Sequence, residues 1–199
     1  MGVGFQHRIG LALSVAFLLA LGSIAHAGWS DLDPSSTWFI VGEESGLRAL
    51  PDSLFSFGDD ERAFQRGYWE NDVGGVVIGA CKTKLQAYFK EEGLDVGTTV
   101  PTWSQALQDN AKSIRWGTAV DLVTTVGPAI RQPFTLHIEK DEWCEGFVVH
   151  WEPWKQGHRW QMAGYICASS DVPPVDQRLD AVLSHLGFAG QFESLLPTD

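Results

Sequence analysis

The sequence predicts an α+β domain: a mainly antiparallel sheet with helices packed on one face and a disulfide-stapled hairpin. Three observations predict it. Residues 142–167 alternate apolar and polar side chains in two segments that a turn separates. Cys144 and Cys167 stand at the outer ends of those segments. Helical patterns come before and after the strands rather than between them, which is typical of an α+β fold.

Residues 1–27 have the features of a cleaved signal peptide. A weakly basic start precedes an apolar run at 9–24, and the segment closes on the sequence AHA, which fits the small-x-small cleavage rule. The alternative is a retained membrane helix, but the run is shorter than the roughly 20 apolar residues that a bilayer core needs. We therefore predict that 28–199 form a single exported globular domain, periplasmic or extracellular.

The charge balance narrows the classes of partner. The sequence has 25 acidic and 14 basic residues, and residues 1–27 hold one of the basic residues and none of the acidic ones. Nucleic-acid phosphates and anionic membrane surfaces repel a domain this acidic. No second apolar run approaches spanning length, so no membrane span is expected after signal cleavage. The partners left open are an unknown protein and a small-molecule ligand.

The first elements of the mature chain are weakly patterned. Residues 38–41 predict a short strand. The stretch 46–67 is broken by a proline and a glycine, and we expect it to run over the surface. A helical turn is expected to begin within it near Asp59 or Asp60, because either carboxylate can cap a helix.

Residues 74–93 fit two patterns. Alternating apolar and polar side chains favour a strand, whereas the i, i+4 spacing of Cys81, Leu85 and Phe89 favours a helix. We predict a strand at 76–78 that a helix follows. Both interpretations bury Cys81.

Two later stretches predict helices. At 102–116, Thr102 and Gln105 form a capping box, and apolar residues share much of one face. At 175–188, apolar residues follow an i, i+3, i+4, i+7 spacing that Gly187 can end. The members of this second stripe are Leu179, Val182, Leu183 and Leu186.

The stretch 142–167 predicts a β-hairpin in one register. Pro153 pairs with His158 around a four-residue loop in which Gly157 takes a positive φ. Apolar side chains then face each other on one side of the sheet, and Cys144 lies opposite Cys167. The opposed apolar pairs are Trp151 with Trp160 and Val149 with Met162.

Nine tryptophans raise the question of a sugar-binding platform, because an exposed indole stacks on apolar ring faces. The hairpin register places Trp143, Trp151 and Trp160 on the core face. Only Trp154, at the turn, and Trp29, near the mature N-terminus, are expected to project. Core filling is therefore the favoured role of these tryptophans.

The three cysteines predict one structural disulfide and one leftover thiol. Export supports a bond between Cys144 and Cys167, because oxidising compartments preserve disulfides. A reduced redox pair is the alternative, but the two cysteines lack C-x-x-C spacing. Cys81 is expected to be a small buried hydrophobe, with a nucleophile as the other interpretation of a lone thiol.

One constellation of polar residues is a candidate binding site. Period-two spacing puts both members of each His-x-Glu pair on one side of a strand. If the strand at 134–140 pairs with the hairpin, the polar face of the sheet carries both pairs together with hairpin residues. These candidates are His137, Glu139, His150, Glu152, Arg159 and Trp154. Imidazoles and carboxylates could bind a metal or transfer protons, but such residues also suit any solvated sheet face.

The function predicted from sequence is an exported small binding or interaction domain of unknown ligand. The alternative is a small hydrolase or metal-dependent enzyme that uses the His/Glu residues on the exposed sheet face. A third hypothesis, an inhibitor of a secreted enzyme, would use the turn at 152–158 as its protruding loop. The sequence has no Gly-rich phosphate loop, no G-x-S-x-G and no H-E-x-x-H motif, so no catalytic residue, metal or cofactor is predicted.

Overall fold

The computed structural model describes residues 29–50, 52–71, 74–84, 88–168, 175–188 and 195. The predicted signal peptide lies outside these residues. The strands are β1 Ser30–Asp31, β2 Phe39–Val41, β3 Arg48–Ala49, β4 Phe55–Gly58, β5 Arg62–Asn71, β6 Gly74–Thr83, β7 Phe89–Lys90, β8 Ile114–Trp116, β9 Val120–Leu122, β10 Ala129–His137, β11 Asp141–Trp154, β12 Gly157–Ala168 and β13 Leu186–Phe188. The α-helices are α1 Val96–Trp103, α2 Gln105–Asp109 and α3 Val175–Ser184.

An eleven-stranded antiparallel sheet dominates the fold. Its main strand order is β1-β4-β5-β6-β12-β11-β10-β8, with β3, β7 and β9 attached to β5, β12 and β10. A second, two-stranded sheet joins β13 to β2. No helix among the described residues is long and apolar enough to cross a membrane.

The predicted hairpin register is confirmed. Cys144 lies opposite Cys167 in the β11–β12 ladder, and the two form a disulfide with a Cα–Cα distance of 4.1 Å. The apolar pairs also match, with Trp151 opposite Trp160 and Val149 opposite Met162. Alternation of side chains and the positions of the cysteines were therefore enough to define this pairing.

The turn of the hairpin differs from its prediction. Trp154 pairs with Gly157, so the loop has two residues, Lys155 and Gln156, and Lys155 takes the positive φ of 57°. Gly157 is required for another reason. A Cβ there would collide with the backbone carbonyl of Phe89, because β7 packs directly against the start of β12.

Helices cover both faces of the sheet, which corrects the expectation that they share one face. Adjacent residues of a strand point to opposite faces, and Phe147 and Val148 contribute to different apolar clusters. The α3-side core includes Phe39, Trp69, Ile78, Phe147, Val149, Met162, Leu179, Val182 and Leu183. The α1-side core includes Val96, Val100, Leu107, Phe134, Leu136, Cys144, Val148, Ala163 and Tyr165.

The region before α1 is strand where the sequence predicted irregular chain or helix. β4 and β5 form a hairpin that begins within 46–67, and Asp59 accepts the backbone N–H groups of Glu61 and Arg62 at its turn. The predicted strand at 76–78 extends from Gly74 to Thr83, and Cys81 is fully buried in it. Long-range pairing with β5 and β12 favours the strand over the helical pattern.

The predicted helix at 102–116 is wrong in its bounds. α1 begins at Val96, contains Pro101 and stops at Trp103, because Ser104 has extended backbone angles. The Ser104 hydroxyl, rather than Thr102, then caps α2 by accepting the Leu107 N–H. By contrast, α3 contains the first three residues of the predicted stripe and ends at Ser184, whereas Leu186 and Gly187 belong to β13.

Candidate functional site

The predicted His/Glu constellation is not assembled. His137 opposes Asp141 at the tip of the β10–β11 hairpin, where its Nδ1 lies 2.6 Å from the Asp141 carboxylate. Glu139 lies in the exposed turn between the two strands. His150 lies nine residues beyond Asp141 along β11, which is about 30 Å in an extended strand. The β10–β11 register therefore separates the two His-x-Glu pairs.

The polar face that was expected to be solvated is buried around His150. His150 has 0 % exposure and Gln161 7 %. The two side chains are bonded, with 2.8 Å between the Gln161 amide nitrogen and His150 Nε2. An amide nitrogen can only donate, so His150 Nε2 accepts and the imidazole is neutral. Burial and the neighbouring His158 lower the pKa of His150 to about 4.

The other predicted binding residues form a local contact at the end of the hairpin. Exposed Glu152 accepts a 2.5 Å hydrogen bond from Trp160 Nε1, and its carboxylate lies 4.0 Å from Arg159 Nε. The Arg159 guanidinium stacks on Trp154 at 3.8 Å. These contacts satisfy the charges within the hairpin itself.

The tryptophans of the hairpin do not all lie in the core. Trp151 and Trp160 are half-buried and stack at 5.0 Å. Trp143 is 55 % exposed, which corrects its expected core position. It lies near the tip of the β10–β11 hairpin and belongs to neither apolar cluster, so alternation alone does not bury it.

The acid stability of the domain should depend on His150. Its folded pKa, about 4, lies below the ordinary value of 6.5, so the unfolded chain binds more protons between these pH values. We expect the free energy of unfolding to fall by about 1–3 kcal/mol from pH 6.5 to pH 4. Urea titrations across this range should show a flatter profile for His150→Phe. An unchanged profile for His150→Phe would contradict the assignment.

The sulfur atoms offer neither a metal site nor a nucleophile. Glu142, Cys144 and Cys167 place their ligand atoms within 4.8 Å of one another, but both cysteines are consumed by the disulfide. Cys81 is fully buried, and desolvation raises the pKa of its thiol to about 12. The thiol is therefore protonated at neutral pH, as expected for a buried hydrophobe.

A small cavity lies between α1 and the sheet. Its volume is about 10 Å³, room for about one water molecule. Gly79 lets Trp103 approach the sheet, because a Cβ there would come within 2.8 Å of the indole. The lining residues come from β5, β6, β12 and the end of α1: Arg66, Val77, Gly79, Val100, Trp103, Ser104, Ala163, Gly164 and Tyr165.

The polar side chains of the cavity are one guanidinium, which only donates hydrogen bonds, and two hydroxyls, which can donate and accept. Arg66 is half-buried, and desolvation lowers the pKa of its guanidinium, which still stays charged at neutral pH. Burial raises the pKa of Tyr165 to about 12, so its phenol stays neutral. The Tyr165 and Ser104 oxygens lie 3.0 Å apart and share one hydrogen bond. Of their two hydroxyl protons, one remains to be donated elsewhere.

The sequence carried little signal for this site. Arg66 lies in a stretch that was expected to be irregular, and Ser104 and Trp103 lay within a predicted continuous helix. Tyr165 lies on the face of β12 that was expected to be solvated. The signal that the sequence did carry for this site was Arg66 itself, a lone arginine between aromatic residues.

The chain matches no family model, no curated protein and no solved structure. The chemistry of the cavity therefore has to be inferred from its own groups. A charged guanidinium and a spare hydroxyl proton suit a ligand that presents oxygen acceptors.

Proposed function

We propose that this chain is an exported, non-catalytic binding domain whose ligand binds at the α1 cavity, defined by Arg66, Trp103, Ser104 and Tyr165. The observation that carries this proposal is a charged guanidinium beside a pair of neutral hydroxyls with one proton to spare. The disulfide supports export, because such bonds persist in oxidising compartments.

The fixed protonation of Arg66 and Tyr165 favours binding over catalysis. Acid–base or nucleophilic catalysis uses a group that takes up a proton near the working pH. Arg66 is already protonated, and the raised pKa of Tyr165 keeps its proton in place. These groups can hold an acceptor in a fixed orientation, which is what a binding site requires.

Filling the cavity should abolish ligand binding. A chemically diverse panel of small molecules would be titrated into the oxidised, ¹⁵N-labelled chain, and we expect the signals of Gly79, Ser104 and Tyr165 to shift. Ala163→Val adds two methyl groups at the cavity and should lose these shifts. Ala80→Val adds the same groups in the α3-side core and should keep them, although both variants are expected to unfold about 1–3 kcal/mol more easily.

Two results would overturn the proposal. Ligand shifts that survive in Ala163→Val would place binding elsewhere on the chain. Turnover of a bound ester or amide that disappears in Ala163→Val would make the cavity an active site.

A further inference from the structure

Arg66 carries a positive charge that no described acidic residue neutralises. No carboxylate of the described chain lies within 4 Å of its guanidinium, and its hydrogen bond is a long one of 3.5 Å to the Trp103 carbonyl. Other arginines do pair with carboxylates: Arg48, Arg115, Arg131 and Arg159. An unpaired, half-buried cation in so acidic a chain points to an anion from outside.

Aromatic rings orient the Arg66 guanidinium. Its central carbon lies 4.5 Å from the Trp29 ring centroid and 5.7 Å from that of Phe55. Stacking uses the flat face of a guanidinium and leaves its in-plane N–H groups to bind a carboxylate. The pairing of Phe55 with Arg66 in the β4–β5 ladder puts both side chains on one face of the sheet.

A row of aromatic side chains runs beside Arg66. Trp29 contacts Phe57 at 5.6 Å, Phe57 contacts Phe64 at 6.4 Å, and Phe64 contacts Trp103 at 5.8 Å. We call Trp29, Phe57, Phe64 and Trp103 the aromatic row. All four are partly exposed. Phe57 pairs with Phe64 in the β4–β5 ladder, two residues along from the pair of Phe55 with Arg66. The row therefore borders the unpaired guanidinium on the same face of the sheet.

The size of the cavity limits what can enter it. A volume of about 10 Å³ admits one oxygen-sized group and not a ring. A ligand that reaches Arg66 must therefore leave its body outside, against the aromatic row. A flat ring suits this surface, because aromatic pairs attract in offset or edge-to-face contact.

We infer that the binding site takes an aromatic carboxylate, with its carboxylate on the unpaired, ring-stacked Arg66 and its ring on the aromatic row that borders the cavity. This inference rests on the proposed function of the same cavity. The guanidinium supplies in-plane N–H donors that a carboxylate can accept in pairs.

The inference is tested by titrating benzoate, benzamide and acetate into the oxidised chain and following the indole N–H signals by NMR. Benzoate should shift the signals of Trp29 and Trp103, while exposed Trp143, near the β10–β11 tip, serves as the internal reference. Benzamide lacks the charge and acetate lacks the ring, so each should bind at least about tenfold more weakly. This comparison uses the intact protein, so it does not depend on the folding of a variant.

Substitution of Arg66 gives a second readout. Arg66→Gln should remove the preference for benzoate over benzamide, and Arg66→Lys should restore part of it, because lysine keeps the charge without the planar fork. Benzamide binding as tightly as benzoate would overturn the inference while leaving the cavity a binding site. The inference also fails if panel compounds bind at the cavity but none of the three probes does. Benzoate shifts that spare Trp29 and Trp103 would overturn it as well.

Discussion

Replacing both Cys144 and Cys167 with alanine is expected to lower the free energy of unfolding by about 3 kcal/mol. The bond joins residues 23 positions apart and closes the outer end of the β11–β12 hairpin. Its loss therefore raises the conformational entropy of the unfolded chain. Urea denaturation of the oxidised proteins would measure the difference. Thiol counting on the unfolded, unreduced wild type should find one thiol, that of Cys81.

Cys81→Ala is the matched control for the double variant. It removes a fully buried sulfur without removing a cross-link, and it should destabilise by about 1 kcal/mol through the cavity that it leaves. Reductant should lower the melting temperature of the wild type and of Cys81→Ala, but not of the double variant. Equal stability of the double variant and the control would mean that the bond does not constrain the unfolded chain.

Arg131→Leu should destabilise the domain by about 3 kcal/mol, because it leaves the Glu145 carboxylate buried without a cation. Arg131 Nε lies 3.5 Å from Glu145, and its Nη1 lies 3.0 Å from Asp180 of α3. Glu145 is 4 % exposed, and burial already raises the pKa of its carboxyl. Arg131 thus links the sheet to α3, because its guanidinium contacts both the buried Glu145 carboxylate and Asp180.

The double variant Arg131→Leu, Glu145→Gln should recover most of the lost stability, because it removes the unpaired charge.

Loss of Arg131 also raises the folded pKa of Glu145 further. The deficit of Arg131→Leu should therefore be largest at pH 7 and shrink as the pH falls through the raised folded pKa values of Glu145, which lie above the ordinary value of 4.5. Arg48→Leu, which removes an exposed cation 3.9 Å from half-buried Glu70, is the control and should cost less than about 0.5 kcal/mol. If Arg131→Leu destabilises the domain as little as Arg48→Leu does, the Glu145 carboxylate is hydrated in the variant.

Patterns within one segment were enough to predict the β11–β12 hairpin and α3. Cys144, Cys167 and the alternation between them define one register, and the stripe from Leu179 to Leu183 defines one buried helix face. These predictions use neighbours along the chain or across a single turn. Period and spacing specify such contacts before any other element packs against them.

The sequence could not decide which side of the sheet meets water. His150 and Gln161 lie on a polar-looking face, but α1 and β7 pack beside that face and bury it. His137, with the same local spacing to a glutamate, stays exposed because the β10–β11 register puts it at the hairpin tip. Alternation tells which residues share a face, whereas burial depends on elements far away in sequence.

The Arg66 site is decided by tertiary structure alone. Its guanidinium meets Trp29 and Phe55 because β4 pairs with β5, and it meets Trp103 because α1 crosses the sheet at Gly79. Each of these contacts joins segments whose local patterns predicted something else or nothing. Sequence periodicity determined the stapled hairpin and the apolar stripe of α3. The long-range pairing of β5 and the approach of α1 determined the cavity, because both depend on packing that no single segment encodes.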